Sequence, residues 1–553
     1  MSGLLRSNLI VAAGTALSRV TGLLRVVVFV YVIGQTALAD AYALANETPN
    51  IVYDLLLGGV LSATLVPLFT SLLGIAGDRD RDRAERTSPD DPSPDERAIN
   101  VVITTAAVLM IGLTVVAVAA APLIFRVYSI QVSADVDAEV FRDVGTILTR
   151  IFLVQILFYG LTGLANAYLN ARRRFLAAAW SPILPNLVII ATLLSLPGAG
   201  TTEWTLADIA DSTRLRLTLG LGATLGIASM ALIVVPAAFR AGLRYRPAWD
   251  WHHPAVRRLL ALSGWTVGFV AANQVALIVV RNLALAQGEG IARAYFDAFT
   301  FFVLPHGLLA VSIATTFQPE MARAVTRRDR AGFIRDSMLG VRLIALLTVP
   351  AAIGLIVLRD PIIGLMRRGQ FDAVDAANTA EVLAGLSIGL VGFSVYLFVL
   401  RGFYAHQDTR TPFILNVGEN LLNIVLAVAF VRWFGIFGLG LAYAVAYLVA
   451  AVWALVVLRN KVRGLSLEPL RSTAWRAAVA GSAMGAALWL MTDGVGPDVG
   501  WRAVTQVAVA GAAGLLVYLA VLIALRTPEL DAVRSLRPGR RNSAPAGPTK
   551  GAR

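Results

Sequence analysis

The chain has 553 residues, of which 57% are hydrophobic and only 15% charged, with a mean hydropathy of +0.70. A soluble domain is nearer a quarter charged, and apolar runs of about twenty residues recur here along nearly the whole length, so the composition excludes a soluble enzyme and describes a polytopic membrane protein. The net charge of +13 gives no reason to invoke nucleic acid, because most basic residues fall in short loops between apolar runs; the absence of cysteine excludes disulfides and thiolate metal sites.

In chain order, the apolar runs predict about fourteen helical spans: 8–34, 42–75, 98–125, 144–170, 178–197, 215–240, 258–286, 291–318, 337–358, 379–403, 411–431, 434–458, 473–492 and 501–526. The first run is interrupted by Arg19 and leads straight into more apolar sequence, which argues against a cleaved signal peptide. The second is broken by Pro49-Asn50, Gly58-Gly59 and Pro67, breaks that a membrane tolerates only where neighbours or cavity water satisfy the freed backbone groups. Loops after even-numbered spans carry the arginines, among them Arg79, Arg172-Arg173-Arg174, Arg240, Arg327, Arg328, Arg459 and Arg463; Arg359, Arg367 and Arg368 depart from this trend. Both termini are therefore expected in the cytoplasm. The segment 77–97, mostly Asp, Arg, Ser, Pro and Glu, reads as a flexible cytoplasmic loop, and the basic tail 527–553 as disordered sequence near anionic headgroups and other membrane lipids.

A repeat is visible. Tyr168-Leu-Asn-Ala-Arg-Arg-Arg-Phe follows the fourth span and Tyr404-Ala-His-Gln-Asp-Thr-Arg-Thr-Pro-Phe the tenth; Pro49 and Pro67 in span two match Pro305 and Pro319 in span eight. Six spans separate the members of each pair. The expected architecture is all-α: an N-lobe (1–240) and a C-lobe (241–463) of six helices each around a central cavity, then two further helices (464–526).

The first span carries the chemistry. Arg19 and Arg25 lie where lipid is expected, and one Arg at the centre of a membrane helix costs roughly 2.5–3.5 kcal/mol on translocon scales. Arg25 can reach the headgroups by snorkelling, but Arg19 has about 16 Å of mostly apolar helix on its N-terminal side. A polar cavity inside the bundle is the remaining destination. At about 100° per residue Ser18 and Arg25 share a face, whereas Arg19 and Arg25 lie about 120° apart, so one cavity holds both only if it is wide or if the helix bends at Gly22.

Arg281 inside span seven and Arg293 at the start of span eight are further candidates for anion binding or for interfacial snorkelling, since guanidinium forks suit phosphate. Asp40 is a partner for Arg25 or an outer-loop acid. On span eleven Asn416, Asn420 and Asn423 share a face beside Glu419; Asn416 and Asn420 can hold Na⁺ through carbonyl oxygens or hydrogen-bond a neighbouring helix. No His/Asp/Glu cluster has metal-ligand spacing, the outer loops are short, and catalysis finds little support.

Ser18-Arg19-x-x-Gly22-x-x-Arg25, Ala39-Asp40-Ala41-Tyr42, Pro49-Asn50, Arg368-Gly369-Gln370-Phe371 and Gly402-Phe403-Tyr404-Ala405-His406-Gln407-Asp408-Thr409-Arg410-Thr411-Pro412 together resemble the MurJ or MviN family of lipid II flippases. The resemblance implies a member of the multidrug/oligosaccharidyl-lipid/polysaccharide exporter superfamily with fourteen helices in the bacterial cytoplasmic membrane. It further implies alternating access that moves the undecaprenyl-diphosphate-linked peptidoglycan precursor outward, and that Arg19, Arg25 and Asp40 match functional positions of the central cavity. The chain departs from the family where paired arginines commonly follow Pro-Asn, having Tyr53-Asp54, where the following acid corresponds to Gly58, and where an Asp-Arg pair corresponds to Phe299-Thr300. Arg281 or Arg293 is expected to restore the missing charge. No cofactor is expected beyond coupling to Na⁺ or to the membrane potential, and cell-wall synthesis or division proteins are candidate partners. A flippase for another polyprenyl-linked saccharide, a cation-coupled exporter and a membrane scaffold for cell-wall enzymes are the alternatives.

Overall fold

The computed structural model describes residues 2–54, 65–66, 68–73, 94–492 and 499–529, and among them every regular element is a helix. Most of the expected loop 77–97, the middle of span two with Gly58 and Pro67, the side chains of Tyr53 and Asp54, and the tail from 530 lie outside the described residues.

The chain opens with α1 (Ser2–Ile33), α2 (Ala37–Ala45) and α3 (Glu47–Asp54), then α4 (Pro94–Ala119), α5 (Ala121–Tyr128), α6 (Ala138–Leu153), α7 (Gln155–Ala171), α8 (Leu176–Trp180), α9 (Ile183–Leu194), α10 (Leu206–Asp211) and α11 (Thr213–Arg240). These pack chiefly on one another: α1 on α8 and α9, α11 on α7 and α9, α2 on α6. The rotation of α1 is fixed by polar anchors on its neighbours. The Asn186 amide on α9 donates to the Ser18 carbonyl at 3.3 Å and to Thr21 Oγ1 at 3.1 Å, and Trp180 Nε1 donates to the Ile10 carbonyl at 3.1 Å. Inside a bilayer such bonds have no competing water, so they set which way the arginines of α1 point.

The second group comprises α12 (Pro254–Leu285), α13 (Ile291–Pro305), a π-helical turn (His306–Ala310), α14 (Val311–Thr326), α15 (Arg330–Val357), α16 (Arg359–Gly364), α17 (Ala373–Ser387), α18 (Leu390–Ala405) and α19 (Arg410–Lys461). Here α17 and α18 pack on α19, α12 packs on α19, and α13 packs on α17. The last helices, α20 (Glu468–Thr492) and α21 (Trp501–Ala524), pack on each other and against α15 and α16.

Pro305 coincides with a break as expected, whereas Pro49-Asn50 lie inside α3 and Pro319 inside α14 without interrupting either helix. Span two breaks between α2 and α3, and span eight opens into the π turn directly after Pro305, which lacks the N–H that a regular helix would use. The motifs after spans four and ten end their helices alike, with Arg173 (φ 56°) and Gln407 (φ 57°) left-handed and the next N–H returning to the helix, Arg174 to the Leu169 carbonyl at 2.8 Å and Asp408 to the Phe403 carbonyl at 3.1 Å. The turns therefore match Leu169 with Phe403, a register two residues away from the one that pairs Tyr168 with Tyr404.

Among the described residues ten helical stretches are long and apolar enough to cross a membrane, or eleven with α17 and α18 taken as one span bent by 50°. The 52-residue α19 reverses at Gly435 (φ 54°, ψ −138°), which makes it two spans. With α20, and with span two flanking the undescribed residues, the structure agrees with the expected fourteen. Two boundaries shift. Pro94–Arg97 belong to α4 and not to the loop, because the helix extends past the apolar run. Thr527–Glu529 are ordered where disorder was expected: the buried Glu529 carboxylate accepts from Arg342 Nε at 2.6 Å and bonds Thr473, and so pins the end of α21 to α15 and α20.

Alternation of the spans places residue 2 and the basic turns 172–174, 327–330, 406–410 and 459–463 at one end of the bundle, and Gly34–Thr36, Gln287–Gly290 and Gln370–Asp372 at the other.

Candidate functional site

At the second of these ends the two groups meet through a polar seam. The Asp40 carboxylate on α2 accepts from the backbone N–H groups of Gly290 at 2.8 Å and Arg293 at 2.6 Å, which open α13. In return Glu289 accepts from the N–H of Ala37, the first residue of α2, at 2.7 Å. Each group caps the other's broken helix, supplying the acceptors that exposed N–H groups at a helix start require. Gly290 has no side chain with which to cap α13 itself; at φ 76° a Cβ there would stand 1.9 Å from the Gln35 carbonyl oxygen.

Gln35 extends the seam, donating from Nε2 to Thr379 Oγ1 at 2.7 Å and Asp297 Oδ2 at 3.3 Å, while its N–H donates to Asp375 at 3.2 Å. The Arg368-Gly369-Gln370-Phe371 motif completes it. Gly369 (φ 64°) passes close enough to Tyr31 that a Cβ would lie 2.3 Å from its carbonyl oxygen, and Gln370 N–H donates to that same oxygen at 3.0 Å.

Beneath the seam is a cavity of about 40 Å³, walled by Arg25, Phe29, Tyr42, Asn50, Arg293 and Phe296. It is far smaller than the roughly 300–1,000 Å³ of a pocket that takes a small-molecule ligand, but it is large enough for water. Arg25 is half-buried on its wall, with no ion pair or side-chain hydrogen bond among the described residues.

The other sequence candidates divide. Arg293 lines the cavity but is already neutralised: it reaches Asp297 through Nε at 3.1 Å and Nη2 at 2.9 Å, and its guanidinium carbon lies 3.8 Å from the Phe29 ring centroid. Arg281, only 5% exposed, pairs across the groups with Glu47 at 2.8 Å and keeps two buried N–H groups, on Nε and Nη1, without an acceptor among the described residues. Neither side chain snorkels. Asp40 is neither a partner of Arg25 nor a loop acid, since its carboxylate is spent on the α13 cap. Ser18 offers its carbonyl to Asn186, which makes it an anchor of α1.

Arg19 is exposed and does not share the small cavity with Arg25. Its guanidinium lies about 3.5 Å from the position a Cβ on Gly307 would take, so it faces the π turn of the second group. The reason is geometric: α1 runs unbroken through Gly22, and six residues separate the arginines by about 9 Å along the axis as well as by the angle between them.

Asn416 and Asn420 are buried, and each donates from Nδ2 to Asn273 Oδ1 on α12, at 3.0 and 2.9 Å. They tie α19 to α12. Glu419 between them is also buried, and neither of its oxygens has a partner among the described residues.

Sequence reasoning passed over Glu47, Glu289, Asp297, Gln35 and Thr379. Asp297 was findable, four residues after Arg293 on one helix. Glu47 and Glu289 had no local signal, because their partners lie 234 and 252 residues away.

Comparison with known proteins gives a consistent result. The family model described as lipid II flippase MurJ matches residues 29–497. A Vibrio cholerae protein named probable lipid II flippase MurJ is 28% identical over 538 residues, covering 94% of this chain and 96% of its own. The lipid II flippase MurJ of Burkholderia cenocepacia is 28% identical over 461 residues, covering 83% and 84%. Among solved structures, a lipid II flippase MurJ in an inward closed conformation superposes with a TM-score of 0.72 at 21% identity, over 95% of this chain and all of that one. An inward-facing multidrug resistance MATE family transporter of the MOP superfamily has the same fold, with a TM-score of 0.62 at 14% identity over 80% and 95%.

Proposed function

The chain belongs to the MurJ family of lipid II flippases, and from that premise we propose that it moves lipid II from the inner to the outer leaflet of the bacterial cytoplasmic membrane. The observation that carries this reading at the level of residues is the guanidinium of Arg25 on the cavity wall, unpaired among the described residues, where Arg293 on the same wall and Arg281 are already neutralised. A half-buried cation with no counter-ion among the described residues favours an anion that enters the cavity.

The basic turns lie at the end of the bundle that also holds residue 2, so that end and both termini are cytoplasmic in this reading. The diphosphate enters between the two helix groups from the cytoplasmic leaflet, meets Arg19 first and Arg25 deeper, and the polyprenyl tail remains in lipid. Guanidinium forks suit the diphosphate because each can give two parallel hydrogen bonds to its oxygens. The reciprocal caps close the outer end meanwhile. Release requires both caps and the Glu47–Arg281 pair to part, which frees Arg281 with its two unused donors for the anion at the moment the cavity opens outward. Arg281 is thus the group that makes up for the family arginines absent at Tyr53-Asp54, while Arg293 holds the latch.

Na⁺ fits the acceptors buried around α19. The Oδ1 atoms of Asn416 and Asn423 and both Glu419 oxygens have no donor among the described residues, and hard cations take such oxygen ligands. Bound there, a cation would offset the Glu419 carboxylate. The membrane potential is the other source of driving force in this reading.

The test is purified protein in proteoliposomes with labelled lipid II. Wild type is expected to move label between leaflets and Arg25→Ala to lose that activity while inserting and melting as wild type; equal flipping by both would remove Arg25 from the mechanism.

A further inference from the structure

A second cavity lies at the opposite end of the second helix group, and its lining is basic. It measures about 380 Å³ and sits where three turns converge: the one between α14 and α15, the one after α18, and the end of α19. Arg328, Arg330 and Arg463 line it, with Phe333 and His406, whose rings meet at 4.7 Å. His406 belongs to the Gly402–Pro412 motif, which the transport reading leaves without a role.

The acids of this region are already engaged. Asp329 caps α15, accepting from Gly332 N–H at 2.8 Å. Asp408 is committed to Lys461 and to Thr411, whose N–H donates at 3.0 Å and hydroxyl at 2.7 Å. The guanidinium groups of Arg328, Arg330 and Arg463 have no ion pair or side-chain hydrogen bond among the described residues, so three planar donor forks line one concavity without an internal acceptor.

Arg328 also closes the turn that places it on the cavity. It occupies the left-handed position after α14 (φ 58°), which glycine fills most cheaply, and Asp329 N–H returns to the Ala324 carbonyl at 2.8 Å across it. Arg173, Gln407 and Arg526 take the same left-handed position at their own helix ends, so the turn is a helix stop and the case for a ligand rests on the guanidinium groups around the cavity.

We propose that this cavity binds a phosphate group, either the phosphodiester of an anionic phospholipid headgroup or a free phosphate from the aqueous side. Convergent guanidinium forks match phosphate oxygens in number and geometry, where ammonium groups would supply only point charge. The cavity is also large enough for a headgroup.

The test compares the full-length wild type with two triple variants in detergent. The site variant is Arg328→Gly, Arg330→Gln, Arg463→Gln, in which glycine preserves the left-handed turn. The matched control is Arg172→Gln, Arg173→Gly, Arg174→Gln, which removes equal charge from a basic turn of the first group at the same end of the bundle, where Arg172 already bonds the Tyr168 hydroxyl at 3.3 Å. Without ligand the site variant should melt as wild type, since all three side chains are exposed. One arm measures retention of added phosphatidylglycerol by native mass spectrometry; the other measures the thermal shift given by inorganic phosphate.

Wild type and control are expected to bind in at least one arm, and the site variant to bind at least about tenfold more weakly in that arm. Loss confined to the lipid arm assigns the headgroup, and loss confined to the phosphate arm assigns the soluble anion. Equal binding by all three proteins, equal loss in both variants, or binding in neither arm overturns the proposal. Lipid II flipping does not enter either arm, so failure here is distinct from failure of the transport reading.

Discussion

The closed end of the bundle and the cavity beneath it treat charge in opposite ways. At the Gln35 end nearly every charged or polar group is committed: Asp40 and Glu289 to helix starts in the other group, Arg293 to Asp297, Gln35 to Thr379. Deeper along α1, Arg25 is unpaired among the described residues and Arg19 faces a helix break across the gap. The closed end uses its charge to hold two halves together, whereas the cavity wall carries a guanidinium that is unpaired among the described residues. Both uses draw on the same physics, since an ion away from water is costly until it finds a partner.

Four perturbations separate these uses. Arg281→Gln has the largest expected effect, because it strands the Glu47 carboxylate, 14% exposed, without the ion-pair partner it has among the described residues. Breaking one side of a buried pair costs about 3–5 kcal/mol, so the melting midpoint in detergent should fall sharply and largely recover when Glu47→Gln is added. Arg25→Ala comes next. Hydrogen bonds to charged groups contribute about 1.5–3 kcal/mol, so flipping should slow about 10- to 100-fold in the proteoliposome assay with the melting midpoint unchanged.

Asp40→Asn weakens one cap by about 1 kcal/mol. The chain has no cysteine, so Gln35→Cys can report directly on the closed end. Its reaction with an impermeant thiol reagent should accelerate roughly fivefold when Asp40→Asn is added. Asp408→Asn is the smallest, at the basic end. Burial pushes the Asp408 carboxyl up, but Lys461 and the two bonds from Thr411 outweigh it and hold the group at about 2, against 3.8 ordinarily. A depressed carboxyl stabilises the fold above its unfolded value and loses that contribution as pH falls through the folded one. The variant should therefore melt below wild type at pH 5–7, with the gap closing between about pH 4 and 2.

Arg25 and the helix break after Pro305 were more legible in the sequence than the latch. Two arginines in an apolar run are visible because lipid forbids them, and the break after Pro305 is visible because proline forbids a regular helix. The latch is built from backbone N–H groups, which every residue carries, and from acids more than two hundred residues distant, so no local pattern marks it. Asp40 shows the limit. As a lone acid beside an arginine-bearing helix it suggested a counter-ion, yet its partners are the N–H groups of residues 290 and 293. Asn416 and Asn420 were correctly placed on one face, but only the structure supplied Asn273 as the oxygen that they share.

The central claim is that the Gln35 end must open for lipid II to leave. A cysteine pair at Gln35 and Thr379, whose side chains now meet at 2.7 Å, can be bridged with a short reducible thiol crosslinker in this otherwise cysteine-free chain. The account predicts that bridged protein in proteoliposomes stops flipping lipid II and resumes on reduction. Undiminished flipping with the bridge in place would contradict it.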